Sequence, residues 1–295
     1  YLITAAIFTV GLLGYAFYIS FTDLSASFAA ANAQFVGLEN YVRAFSDTLF
    51  LAALGNAFWY FVIVTFFQTI GAMLLAVLLN AKLKGMQFFR TLLYSPSVAS
   101  SIVMSLIFLW LYLPTGFINF ALGTDIPWLT TPTRIFAPFW DAVGLGDSIP
   151  AFFQGPSVAW VAIMLLAIFT TIPTFMVMFL TALQDVPGYV YEAAAIDGAT
   201  GAKAFWYITM PLLRPVIALV AILGTIGTFQ VFDQVAILTK GGPLNTTLTP
   251  AYLIYIKTLG SGTQPEAGFA AAMAFILAFV IVAITLIQRR LIEQE

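Results

Sequence analysis

Long apolar runs set the pattern of this chain. Six stretches, at about 1–22, 54–80, 92–113, 157–182, 212–239 and 267–287, carry almost no charge. Each is close to the roughly 20 residues that a helix needs to cross a bilayer core. Backbone groups at that depth must bond within their own segment, so continuous runs predict helices. A barrel would instead show many ten-residue segments of alternating polarity. The reading is an all-α membrane protein with six transmembrane helices. Its spans, with the loop at 183–211, form a single domain over residues 1–295. Residues 1–22 are read as a span. The small residues at Ser25–Ala31 keep a cleaved leader as the alternative. Because the chain opens on Tyr1, residues upstream of it are expected.

Composition sharpens this picture. Hydrophobic residues make up 61% and charged residues 8%, with a mean hydropathy of +0.99. A soluble domain carries about 25% charged residues. The chain has no cysteine and no histidine. Disulfides, thiol chemistry, Cys or His metal sites and histidine acid–base work are thereby excluded. A net charge of −2 without a basic stripe argues against nucleic acid. The spans hold no paired carboxylates for an intramembrane enzyme, and only Asp233 approaches the buried acid that an ion-coupled transporter uses. No internal repeat is visible, which weighs against a transporter built from inverted halves.

Basic residues orient the spans. Lys82, Lys84, Arg90, Lys203, Arg214, Arg289 and Arg290 fall on one side, and Arg43, Arg134, Lys240 and Lys257 on the other. The positive-inside rule then places both termini and the 183–211 loop in the cytoplasm. Residues 114–156, on the opposite side, contain six prolines together with Trp128, Phe136, Phe139 and Trp140. That segment is too aromatic for disorder. It is expected to pack on the outer mouth or a partner, or to form an interfacial aromatic belt.

The cytoplasmic loop is the most specific segment. Tyr189, Ala193 and Ile196 share one helical face. Ala193, Ala194 and Ala195 keep the helix thin enough for another surface to approach closely. Asp185 is the expected cap, with Pro187 in the first turn. Gly198 suits a left-handed stop, Thr200 a cap for a second short helix, and Pro211 the opening of the next span. Asp197 sits at a helix C-terminus, where the macrodipole disfavours an anion. A partner cation, or a cap on the next turn, is expected for it.

Glu192, Ala193, Ala194, Gly198, Ile208 and Pro211 stand at the spacing of the EAA signature, with Met210 in place of its leucine. In this the chain resembles the permease subunits of ATP-binding-cassette importers. Phe35-Val36-Gly37-Leu38-Glu39-Asn40-Tyr41, with Phe45 and Asn56, resembles the carbohydrate branch of maltose and glycerol-3-phosphate type. Phe232-Asp233, Lys240-Gly241-Gly242-Pro243, Thr247, Tyr255 and Gly268 extend that resemblance.

The resemblance implies a type I importer permease fold in a bacterial or archaeal plasma membrane. It implies a second homologous permease subunit, two cytoplasmic ATPase subunits and an extracytoplasmic solute-binding protein, with surrounding membrane lipid. It implies a sugar as substrate. No cofactor is expected in this chain, and ATP and Mg belong to the ATPase. The chain contains no Gly-x-x-x-x-Gly-Lys-Ser/Thr loop, so it is read as a transport subunit and not an enzyme. The segment containing Glu192, Ala193, Ala194, Asp197, Gly198, Ile208 and Pro211 would couple to the ATPase. In the family, residues flanking the coupling loop line the sugar site. Carried to this chain, the polar positions beside the loop are Thr171, Thr174, Gly227, Thr228 and Gln230. The alternative for each is helix packing or bonding to its own backbone. Gln68 is expected to make a helix–helix hydrogen bond. A self-sufficient channel or ion-coupled transporter is the competing function.

Overall fold

The computed structural model describes residues 7–25, 33–81, 84–260 and 264–293. Among them the chain is helical, with isolated bridges at Thr22–Phe35 and Arg134–Ser157. The helices that matter for function are α1 (Leu12–Ile19), α2 (Glu39–Ser46), α3 (Thr48–Leu79), α4 (Met86–Val98), α5 (Ser101–Leu111), α6 (Val158–Asp185), α7 (Gly188–Ile196), α8 (Met210–Phe229), α9 (Pro250–Leu259) and α10 (Ala267–Glu293). Helices α3, α6 and α10 and the run Ala202–Leu238 are each long and apolar enough to cross a membrane. Residues 1–6 of the first apolar stretch and 26–32 of the small-residue segment lie outside the described residues.

Two of the expected continuous helices are broken. The run at 92–113 bends by 95° between α4 and α5. Pro96 removes a backbone donor inside α4, and Ala99 and Ser100 adopt ψ of 144° and 140°. The run at 212–239 stops at Phe229 and resumes as a short helix at Asp233–Leu238, which leaves Gln230 in a turn. At its other end Pro211 is the second residue of α8 and does not open the span, because the helical run continues unbroken from Ala202. The preceding Phe205–Thr209 forms a π-turn, whose wider coil leaves room for a ring that cannot donate to the turn before it.

The chain forms two compact units, each built from three stretches of sequence. The first comprises Tyr1–Trp59, Pro127–Trp160 and Phe229–Ala283. Its core joins Ala44, Phe50, Ala53, Leu248, Leu253, Phe269 and Met273. The proline- and aromatic-rich residues 127–156 are ordered in this unit. Phe136 meets Trp59 edge to face and Phe152 packs tilted against it, and Trp59 Nε1 donates to the Phe152 carbonyl at 2.8 Å.

The second unit comprises Tyr60–Ile126, Val161–Thr228 and Ile284–Glu295. Ala72, Met73 and Ala76 of α3 pack with Met176, Phe179, Leu180 and Leu183 of α6 and with Leu213 and Val220 of α8. Small residues on α3 allow this close approach. Arg90 caps the end of α3, donating to the Leu79 carbonyl through Nη2 at 2.7 Å and Nε at 3.2 Å.

Candidate functional site

The coupling segment lies in the second unit. Its helix α7 ends in two reverse bonds: the Gly198 amide donates to the Ala195 carbonyl at 3.1 Å and the Ala199 amide to Ala194 at 2.8 Å. This closure needs a left-handed residue, and Gly198 takes φ of 77°. The capping expectations fare differently. Pro187, in extended conformation, is itself the N-cap residue, because Asp185 is already the last residue of α6. Gly201, not Thr200, precedes the next short helix, and Thr200 contributes only its carbonyl, to Lys203 N at 3.2 Å. Asp197 makes no ion pair among the described residues.

What α7 exposes is unusual for nine residues. Ala194 is the buried residue of the helix, at 6% exposure. Glu192, Ala193, Asp197 and Gly198 are exposed. Tyr189 is 70% exposed and Ile196 87%. Trp206 and Tyr207 are also exposed, Ile208 is half-buried and Pro211 is exposed. An isolated helix of this length is unstable in water. Part of its fixing comes from Tyr191 Oη, 3.3 Å from Thr209 Oγ1.

The polar residues of the long helices divide by what their hydroxyls reach. Thr228 is buried and donates to the Thr225 carbonyl at 2.9 Å. Thr171 Oγ1 lies 2.7 Å from the Ala167 carbonyl and, across helices, 2.8 Å from Gln68 Oε1, so its single proton is shared between two acceptors. Gln68 thus makes the helix–helix bond expected of it. Thr174 and Gly227 are exposed in the second unit, and a Cβ at Gly227 would meet nothing. Gln230 is exposed in the first unit. Thr225 Oγ1 lies 2.7 Å from the Ala221 carbonyl and 2.9 Å from Gln288 Oε1 of α10, sharing its single proton between them.

Three polar groups on α3 remain after this assignment. Gln68 Nε2, Thr65 Oγ1 and Thr69 Oγ1 are buried and have no hydrogen-bond partner among the described residues. Of the three residues, the sequence pattern draws attention to Gln68 alone. The signal for the other two is the spacing of Thr65, Gln68 and Thr69, which places all three on one helical face.

The first unit carries a second ordered feature. Lys240, Leu244 and Asn245 have φ of 52°, 48° and 59° in the loop that begins Lys240-Gly241-Gly242-Pro243. Such non-glycine conformations cost roughly 1–3 kcal/mol each and need firm support. Asn56 supplies it, donating to the carbonyls of Asn245 at 3.0 Å and Leu248 at 2.9 Å. Thr239 and Thr247 hydroxyls meet at 2.7 Å, and Thr249 donates to the Val231 carbonyl at 3.1 Å. Leu244 is left 83% exposed at the tip. Nearby in sequence, Glu266 pairs with both Arg43 and Lys257 at 2.7 Å.

Comparisons with known proteins agree with this geometry. Residues 58–294 match the family described as binding-protein-dependent transport system inner membrane component. The chain is 32% identical over 264 residues to the lactose transport system permease protein of Rhizobium radiobacter, covering 86% of this chain and 80% of that one. It is 31% identical over 280 residues to the multiple sugar-binding transport system permease protein of Streptococcus mutans, covering 94% and 86%. Among solved structures, a chain of a bacterial ABC transporter involved in alginate import superposes with a TM-score of 0.78 at 19% identity, covering 99% of this chain and 92% of that one.

Proposed function

Because this chain belongs to the family of binding-protein-dependent transport system inner membrane components, we propose that it is the permease subunit of an ATP-driven importer of sugars. It is a multi-pass membrane protein of that importer class. The sugar reading is supported by the relatives, whose names specify lactose, multiple sugars and sn-glycerol-3-phosphate. Both termini and α7 face the cytoplasm in this reading, in line with the distribution of Lys and Arg.

The observation that carries the proposal is the uncovered apolar face of α7. Tyr189, Ala193 and Ile196 stand exposed together on a thin helix with a glycine-dependent end. Exposed apolar clusters of this kind mark docking surfaces. The occupant is a cytoplasmic ATPase subunit, with ATP and Mg bound there and not on this chain. Glu192, Asp197 and Gly198 border the contact. Ile208 and Pro211 carry its motion through the π-turn into α8. A second, homologous permease subunit supplies the other half of the path, and the partner ATPases work as a pair. An extracytoplasmic solute-binding protein delivers the sugar to the rigid outer loop at Lys240–Thr249, where Leu244 projects.

Solute hydroxyls are assigned to Thr171, Thr174, Gly227, Thr228 and Gln230. Thr174, Gly227 and Gln230 are exposed, which supports their part in the assignment, whereas Thr171 and Thr228 must give up bonds to their own backbone to take it. The test is Gly198→Trp in the complete transporter. Sugar uptake and solute-stimulated ATPase activity should both be lost while the chain still inserts in the membrane. Normal uptake would remove the coupling assignment.

A further inference from the structure

Most threonines in the long helices close on their own backbone. Thr170, Thr171, Thr181, Thr225 and Thr228 each donate to a carbonyl three or four residues back. That habit removes a hydroxyl from use by anything else. Thr65 and Thr69 depart from it, since neither hydroxyl finds a partner among the described residues. Both flank Gln68, which is 1% exposed and whose Nε2 also lacks an acceptor there.

Unsatisfied buried polar groups cost about 1–3 kcal/mol each. Three of them on one turn of one helix is an expensive arrangement, and each is chemically different from the apolar core around it. The opposing surface is shaped to receive them. Gly224 of α8 lies so close to the Gln68 amide that a Cβ there would collide with it, and would also touch the Thr65 methyl. Thr171 of α6 holds Gln68 Oε1 and so orients the amide. Two hydroxyls and an amide N–H, each able to bond outward, match the alternating donor and acceptor character of a hydroxylated solute.

We propose that Thr65, Gln68 and Thr69 form a hydroxyl-binding face for the transported sugar on α3. The proposal rests on the sugar-importer reading above and adds a third helix to the residues assigned from the sequence. In the state described the face is closed, and its three groups bond a sugar hydroxyl when the path opens to the solute. Gln68 is the central residue of this face, with Thr171 Oγ1 2.8 Å from its Oε1.

The substitution that separates this idea from a structural one is Thr65→Val. Valine keeps the shape and removes the unpartnered hydroxyl, so a merely structural site should lose nothing. The complete transporter is reconstituted in proteoliposomes with its binding protein. Uptake of radiolabelled lactose, maltose, glucose or another saccharide, whichever the wild type imports, is compared with uptake of that sugar's monodeoxy analogues. Preference imposed by the binding protein enters wild type and variant equally and cancels. Rejection of one deoxy analogue should relax about tenfold in Thr65→Val, the worth of one hydrogen bond. Thr65→Ser should reject it as the wild type does, and the melting temperature of Thr65→Val should be unchanged or higher.

Unchanged analogue ratios in Thr65→Val would overturn the proposal. If the melting temperature also fell, a buried water and not the solute would be the partner. Should the wild type import no member of a broad panel of mono-, di- and oligosaccharides and glycerol phosphate, the sugar-importer reading fails and this proposal falls with it. That failure would show in the wild type and not in the variant.

Discussion

The helix α7 and the middle of α3 break opposite rules. On α7, apolar side chains stand in the open: Tyr189 and Ile196 are among the more exposed large residues of the second unit. On α3, polar atoms are shut away: Gln68 Nε2, Thr65 Oγ1 and Thr69 Oγ1 are buried without partners among the described residues. Each is locally unfavourable, and each becomes favourable with the right companion. Exposed apolar area calls for a protein surface. Buried donors and acceptors call for a polar ligand. A transport subunit must meet both kinds of partner, and the proposed reading gives α7 to the one and α3 to the other.

Breaking the first half of the comparison should give the largest effect. Ile196→Asp replaces an anchor side chain with a charge, and should weaken ATPase association by about 30-fold or more, as for an interface hot spot. Titration of purified ATPase against the permease pair reads this directly. The chain's own melting temperature should barely move, since Ile196 is solvent-exposed in the free chain.

The second half is tested next by Gly224→Ala. The added methyl strikes the Gln68 amide, and overpacking of this kind costs about 1–3 kcal/mol. Thermal unfolding should register the loss, and Gly224→Ala combined with Gln68→Ala should recover most of it. Failure of the double variant to recover would place the strain elsewhere.

Asn56→Ala offers a contrast in the first unit, where both protons of a buried amide nitrogen are used. It removes the bonds to Asn245 and Leu248 and should cost about 1–3 kcal/mol. Unlike Thr65→Val, it should lower the melting temperature without relaxing analogue discrimination. Equal effects of the two on discrimination would erase the distinction drawn between satisfied and unsatisfied polar groups.

The smallest effect concerns Glu266. Burial alone would raise its carboxyl pKa. Hydrogen bonds from Lys257 and Arg43, with their charges, outweigh that and hold it below the usual carboxylate value. Its contribution is therefore present at neutral pH and is lost as pH falls through the lowered pKa. Wild type and Glu266→Gln should differ slightly in thermal stability at pH 7 and converge on acidification. A gap that widens in acid would contradict the sign.

Much of this was legible in the order of residues, for physical reasons that vary by region. Uninterrupted apolar runs announce α3, α6 and α10, because a bilayer leaves the backbone few alternatives. The stop at Gly198 was readable because few residues take a left-handed conformation cheaply. The 95° bend between α4 and α5 was less so: Pro96 weakens a helix, but the apolar run continues through it and hides the break. The end of α8 at Phe229 was hidden for the same reason. Asp185 and Thr200 are good capping residues by type, yet α6 runs through Asp185 and Gly201 precedes the next helix, so neither cap forms. On the polar face of α3 only Gln68 stood out in the sequence, and Thr65 and Thr69 did not. Spacing alone does not reveal which threonines bond their own backbone, and only the side-chain geometry separates Thr65 from Thr225.

The central claim is that the face bearing Ile196 docks on an ATPase. This chain has no cysteine, so Ile196→Cys gives it a single reporter thiol, to be read in a transporter whose partner subunits carry no reactive cysteine. A short bifunctional thiol–amine reagent should join it to an ATPase subunit, with a yield that changes when ATP is added. Free reaction of the introduced thiol with a bulky maleimide in the intact complex, without any product containing the ATPase, would contradict the account.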